Sequence, residues 1–222
     1  MTSTPNPPRP RAVLWDLDGT LIDTAVLHWQ AWRDELAAYG RELTWEEFFD
    51  RFGQRNDVTL RAWLRPDLSP EEIAVIGEAK ERRFRARIRG VGLPLAAGAA
   101  HWLTTLRAQG WKQALATMAG RENVIAMFNG RQDDWFDAVV SAEQVARSKP
   151  APDVFLRAAE LLGVPPARCV VVEDSPAGIE AARRAGMKSI GVGGQALGAD
   201  LTCPSLVEIP PDAFAKLLEE AP

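Results

Sequence analysis

Short apolar runs alternate with amphipathic stretches along most of the chain. Runs at residues 12–15, 113–116, 138–140, 169–172 and 189–192 are each followed by a turn and a helical pattern of apolar positions. Strand-length runs separated by helices predict a parallel sheet covered by helices on both faces, a doubly wound, Rossmann-like α/β core. In such a sheet, ligands lie beyond the carboxyl ends of the strands.

Residues 24–91 break the alternation, with helix following helix and no convincing strand between. Ala25, Trp29, Trp32 and Leu36 recur at spacings of four, three and four and predict one buried stripe. Thr44-Trp45-Glu46-Glu47 and Ser69-Pro70-Glu71-Glu72 read as capping boxes, the second with Pro70 at the first helical position. Trp29, Trp32, Trp45 and Trp63 fall in this stretch and are expected to form a helical bundle's own core. The chain is therefore expected to leave the sheet after its first strand and build a helical cap subdomain over 24–91, able to open and close above the strand ends. Residues 11–23 and 92–222 complete the α/β core, and residues 1–10, with four prolines, read as a disordered lead-in.

Composition narrows the class. A chain of 222 residues accommodates one domain, or one plus an insert, and 46% hydrophobic with 25% charged residues excludes a disordered protein. The net charge of −4 supplies no general attraction to nucleic acid or anionic membrane. Arg82, Arg83, Arg85, Arg87 and Arg89 form one local basic run. It reads as the solvated side of a helix ahead of a nucleic-acid surface, with attraction of a phosphorylated small molecule as a third reading. Two cysteines, Cys169 and Cys203, exclude a disulfide framework and fit a reducing cytoplasm. The N-terminus lacks an apolar signal core, and no apolar stretch approaches the roughly 18 residues needed to span a bilayer.

The candidate chemistry lies at the ends of the apolar runs. The first delivers Asp16 and Asp18 into a Gly19-Thr20 turn. Like charges about 4 Å apart repel by roughly 4 kcal/mol at an effective dielectric near 20, a cost that a bound cation would offset. The same pattern also occurs in calcium loops and in plain turns where Asp caps the backbone. The second run ends at Thr117, followed by Met118 and a helix starting near Arg121; a hydroxyl and backbone N–H groups there suit an anionic oxygen, or merely cap the helix. Lys149 lies between Ser148 and Pro150, in a loop that Pro150 and Pro152 are expected to hold extended; it is placed either to neutralise a phosphoryl group or to be solvated. Glu173 and Asp174 directly follow a run of three valines, where acids suit a helix cap or a magnesium ion.

Taken in order, these four motifs resemble those of the haloacid dehalogenase-like superfamily, in its phosphoryl-transfer branch. With His28, Ala31-Trp32, Gly53-Gln54-Arg55-Asn56 and Lys80, and with the stretches from Lys149 and from Glu173, the chain is similar to the phosphatase and beta-phosphoglucomutase group, which carries a helical cap after the first strand. The resemblance implies that Asp16 is the nucleophile and Asp18 the general acid and base. It implies Mg2+ held by the Asp16 carboxylate, the Asp18 carbonyl and Asp174, with Glu173 as helper. Thr117, Met118 and Lys149 would hold the phosphoryl oxygens, and His28 and Lys80 would reach the general acid or the substrate from the cap. Arg55 resembles an arginine that grips a distal phosphate, at a spacing from Gly53 one residue shorter than in the mutase. His28 alone, beside the Trp29/Trp32 stripe, also reads as a packed core residue, and His101 reads as packed outright.

The expected activity is that of a phosphoric monoester hydrolase acting on a small phosphorylated metabolite, with neither nucleic acid nor membrane as partner and with no sequence feature that sets an oligomeric state. A sugar phosphomutase is the alternative, differing in whether water or a sugar hydroxyl attacks the aspartyl-phosphate. A third reading is a binding module that kept the fold and lost the chemistry; a carbon-halide dehalogenase has no need of Asp18.

Overall fold

The computed structural model describes residues 10–52, 54, 56–195 and 198–219. The expected lead-in, apart from Pro10, and Arg55 lie outside them. Chain order runs β1 (Ala12–Trp15), α1 (Ala25–Leu36), α2 (Trp45–Phe49), α3 (Asn56–Trp63), α4 (Pro70–Ile88), α5 (Ala99–Ala108), β2 (Lys112–Ala116), α6 (Arg121–Met127), β3 (Ala138–Val140), α7 (Asp153–Leu162), β4 (Cys169–Glu173), α8 (Pro176–Arg184), β5 (Lys188–Val192), β6 (Leu201–Cys203) and α9 (Ala213–Glu219). The chain forms two compact units. The first comprises Met1–Leu21, Leu95–Gly120 and Asp133–Pro222; the second comprises Ile22–Pro94 and Arg121–Gln132.

Among the described residues of the first unit, six parallel strands form one sheet in the order β3-β2-β1-β4-β5-β6. Continuous apolar strands suit this sheet because both faces are covered. Ala12, Leu14, Ala114, Ala116, Cys169 and Val171 pack with Phe155, Ala158 and Leu162 of α7 and Ala181 and Ala182 of α8. With a side-chain period of two, Trp15 belongs to the other face. Its ring lies 6.2 Å from Phe214 of α9, and its Nε1–H donates to Gln113 Oε1 at 3.0 Å. β6 is an addition to the sequence expectation: Leu-Thr-Cys is too short to read as an apolar run, and it pairs with β5 alone.

In the second unit both capping boxes form. The Thr44 hydroxyl accepts from Glu47 N–H and that of Ser69 from Glu72 N–H, and each glutamate carboxylate accepts the cap residue's own N–H in return. The core gathers Trp32, Leu36, Phe48, Leu60, Trp63 and Ile76, with Trp29 and Trp45 half-buried against it. The buried face of α1 is His28, Ala31, Trp32, Glu35 and Leu36, rotated from the expected stripe so that Ala25 and Trp29 sit at its margin. That rotation follows from polar partners: His28 stacks on Phe84, with ring centroids 4.2 Å apart, and Glu35 accepts from Arg83 at 2.7 Å. The arginine run is likewise tied up internally, Arg83 with Glu35, Arg85 with Glu78 and Glu122, and Arg87 with Asp34. Most of its charge is thereby neutralised within the unit.

Two further expectations need correction. His101 is exposed, because the period of α5 turns Ala99, Trp102, Leu103 and Leu106 inward and leaves position 101 outside. The Lys149 loop is bent instead of extended: Ala151 N–H donates to Ser148 O at 3.0 Å, and the Lys149–Pro150 peptide is cis. No helix among the described residues is long and apolar enough to cross a membrane.

Candidate functional site

All strands of the sheet point the same way, so Asp16, Thr117 and the Glu173-Asp174 pair emerge at one edge. Trp15 is in register with Leu115 on β2 and with Val172 on β4, the two neighbours of β1. β1 therefore sits where the chain order diverges to either side, the position at which doubly wound sheets bind ligands. Asp16 N–H donates to Val172 O at 3.0 Å, which fixes the first residue past the strand to its neighbour.

The structure brings Asp16, Lys149 and Glu173 into direct contact. Lys149 Nζ lies 2.5 Å from Asp16 Oδ1 and 2.5 Å from Glu173 Oε1, with all three side chains buried. The solvated reading of Lys149 is excluded. Carboxylate oxygens of Asp16, Glu173 and Asp174 lie within 4.8 Å of one another, and Asp18, half-buried, is outside that set. Glu173 Oε2 accepts from both Ser175 N–H and Ser175 Oγ–H, at 2.9 and 2.8 Å. Ser175, in turn, is the N-cap of α8 and accepts from Gly178 N–H. The acids thus do not cap this helix.

Two glycines make room for the carboxylates. A Cβ on Gly19 would lie 2.1 Å from Asp174 Oδ2, and one on Gly178 would lie 1.9 Å from Glu173 Oε1. Gly19 also holds φ +86°, a conformation in which a side chain is strained. Thr20 Oγ1–H completes the wall, donating to Asp174 Oδ1 at 3.3 Å. Neither Ser175 nor Gly178 was legible as a site residue in the sequence, although both stand in the turn just after the acid pair.

Electrostatics define what the site can hold. Burial drives the Asp16 carboxyl well above the usual carboxylate range; Glu173 and Asp174 add to this and Lys149 opposes it. Burial and the Glu173 charge push Asp174 up to about 7. For Lys149, burial alone would lower the value, but the Asp16 and Glu173 carboxylates outweigh it and hold the ammonium above the ordinary lysine range. Three carboxylates share one ammonium, a surplus of negative charge in a desolvated site. Such a set of hard oxygen donors, with glycines where a side chain would intrude, fits a small divalent cation.

Thr117 is buried at the end of β2; its N–H donates to Val140 O, and its hydroxyl accepts from Ala119 N–H at 3.0 Å. Since α6 begins at Arg121, Thr117 caps a turn and not that helix. Met118 packs half-buried against the sheet core.

Within the second unit, His28 and Lys80 meet: Lys80 Nζ lies 2.8 Å from His28 Nδ1. An ammonium only donates, so Nδ1 is assigned as the acceptor and the ring proton goes to Nε2. Lys80 Nζ also donates to Glu81 Oε1 at 2.7 Å and lies 5.2 Å from the Trp32 ring centre.

Comparison with known proteins agrees with this arrangement. The family model "haloacid dehalogenase-like hydrolase" matches residues 10–186. Protein CbbY of Rhodobacter capsulatus is 35% identical over 190 residues, covering 81% of this chain and 84% of that one. Fructose-1-phosphate phosphatase YqaB of Escherichia coli is 32% identical over 186 residues, covering 81% and 95%. The crystal structure of beta-phosphoglucomutase from Clostridium difficile superposes with a TM-score of 0.84 at 26% identity, covering 95% and 98%. By its motifs, its sheet order and the extent of these matches, the chain belongs to the haloacid dehalogenase-like hydrolases.

Proposed function

We propose that the chain is a magnesium-dependent phosphatase of a small sugar phosphate, working through a phosphoryl group carried on Asp16. The observation that carries this reading is the contact of Lys149 with Asp16 and Glu173 inside a cluster that keeps a surplus of negative charge. A cluster built for structure alone would balance its charges, since an uncompensated buried carboxylate is costly. The named activity of YqaB supports the substrate class.

Asp16 attacks phosphorus, forming an Oδ–P bond as the bond to the sugar oxygen breaks. Asp18 gives its proton to that leaving oxygen. In the second half-reaction Asp18 takes a proton from water, the resulting oxygen attacks phosphorus, and the Asp16 Oδ–P bond breaks to release phosphate. Lys149 places positive charge where the transferring group gathers negative charge, while Thr117 and the N–H of Met118 orient its oxygens. Glu173, with one oxygen on Lys149 and the other on Ser175, fixes the ammonium. Asp16, Asp174 and the Asp18 carbonyl would hold Mg2+, which when bound neutralises charge on the site and on the phosphoryl group. His28 and Lys80 are proposed to contact the substrate. The cytoplasm is the proposed compartment.

The test is phosphate release from fructose 1-phosphate with and without magnesium, in the parent protein and in Asp16→Asn. Release should require magnesium and vanish in the variant; release by Asp16→Asn would refute the mechanism. A mutase reading draws on the similarity to beta-phosphoglucomutase. Glucose 6-phosphate appearing from beta-glucose 1-phosphate in place of free phosphate would establish it.

A further inference from the structure

We propose that Glu81 and Asn123 are positioning residues that hold the Lys80 ammonium beside His28 for contact with the sugar part of a phosphorylated substrate. The inference rests on the reading that Lys80 meets substrate. It names what keeps that lysine in place.

Lys80 stands in the buried stripe of α4, with Ile73, Ile76, Gly77, Phe84 and Ile88, where the helical period calls for an apolar side chain. Burying an ammonium there costs desolvation that a leucine or methionine would avoid, so packing does not explain it. Two of its three donors are taken, by His28 Nδ1 at 2.8 Å and Glu81 Oε1 at 2.7 Å.

Glu81 is an unexpected partner, because adjacent residues on a helix point about 100° apart. Its carboxylate is held toward Lys80 from the other side: Asn123 Nδ2, on α6, donates to Glu81 Oε2 at 2.6 Å. Asn123 is buried, and its Oδ1 accepts from Arg85 at 3.0 Å, so both ends of the amide are fixed. Arg85 is itself held by Glu78 and Glu122. The chain His28–Lys80–Glu81–Asn123–Arg85 thus ties α1, α4 and α6 together. It spends the Glu81 charge inside the unit and, among the described residues, gives the ammonium two hydrogen-bond partners beside the Trp32 ring.

The test compares Glu81→Gln, which keeps shape and removes charge, with Lys80→Ala and with the double variant, on fructose 1-phosphate and on p-nitrophenyl phosphate. Glu81→Gln should lose about tenfold in kcat/KM on the sugar phosphate and stay within about twofold on the aryl ester, where no sugar is to be oriented. Glu81→Asp should recover part of the loss. The double variant should be no worse than Lys80→Ala, since the two act as a unit. Equal losses on both substrates, or losses that multiply in the double variant, would overturn the proposal. Asn123→Leu checks it by a second route and should reproduce the Glu81→Gln pattern. A loss in Lys80→Ala with none in Glu81→Gln or Asn123→Leu would overturn the positioning role and leave the substrate role of Lys80 standing; no loss in Lys80→Ala would remove both.

Discussion

Each unit of this protein buries a lysine, and the two lysines solve different problems. Lys80 faces one carboxylate and a histidine nitrogen, and that carboxylate is also held by an amide. Lys149 faces two carboxylates with a third close by, and the glutamate among them is fixed by a serine. The first arrangement is balanced without further charge; the second is not. Similar burial of the same side chain therefore says little about role, whereas the charge count around it separates a balanced cluster from one with acids to spare.

The comparison breaks most directly on removing each cation. In metal-free protein, Lys149→Met takes the cation away from Asp16 and Glu173 and should destabilise the fold by about 3–5 kcal/mol, the range for breaking a buried pair. Lys80→Met leaves one acid that still accepts from Asn123 and should cost about 1–3 kcal/mol. Denaturant midpoints measure both, and magnesium should change the cost only for Lys149→Met. If Lys80→Met proves the more damaging, the contrast is wrong.

Filling the space behind an acid is the next test. Gly178→Ala forces the Glu173 carboxylate off its place against Lys149 and Ser175; roughly 1–3 kcal/mol of overpacking strain is expected. Hydrolysis should fall together with stability. Gly77→Ala in α4 meets only the end of Asn56, at 3.0 Å, and should be near neutral by thermal melting.

The acid surplus also carries a pH signature. The folded state holds the Asp174 proton up to about pH 7 against an ordinary value near 4, so its contribution to stability is full below that ordinary value and lost as pH rises through 7. Chelated protein should therefore melt at progressively lower temperature from pH 5 to pH 8. Asp174→Asn should flatten that slope, and magnesium should reverse it. Smallest of all, Ser69→Ala removes one hydroxyl acceptor from the capping box of α4 and should cost about 1 kcal/mol, read by chemical denaturation, with hydrolysis of p-nitrophenyl phosphate unaffected.

What could be read from the sequence follows the same physical division. Strands buried on both faces announce themselves as unbroken apolar runs, so β1 to β5 were legible, and the acids and the lysine at issue stand just beyond such runs or in a proline-bounded loop. β6 was not, because three residues at a sheet edge leave no period. Ser175 and Gly178 were hidden because their role is the shape of a turn around Glu173. Glu81 and Asn123 were hidden because neighbours on a helix do not ordinarily face each other and a partner 42 residues away leaves no pattern. The exposure of His101 follows from the phase of α5, which a lone histidine does not reveal; the roles of Asp18, Thr117 and Met118 rest on the motifs that suggest them.

The central claim is that Asp16 carries the phosphoryl group between two displacements. Quenching turnover of fructose 1-phosphate in acid and mapping the modified peptide by mass spectrometry tests it without further assumption. The account predicts a phosphoryl adduct on Asp16 that is absent from Asp16→Asn. An adduct on another residue, or turnover that inverts configuration at a chiral phosphorus, would contradict it.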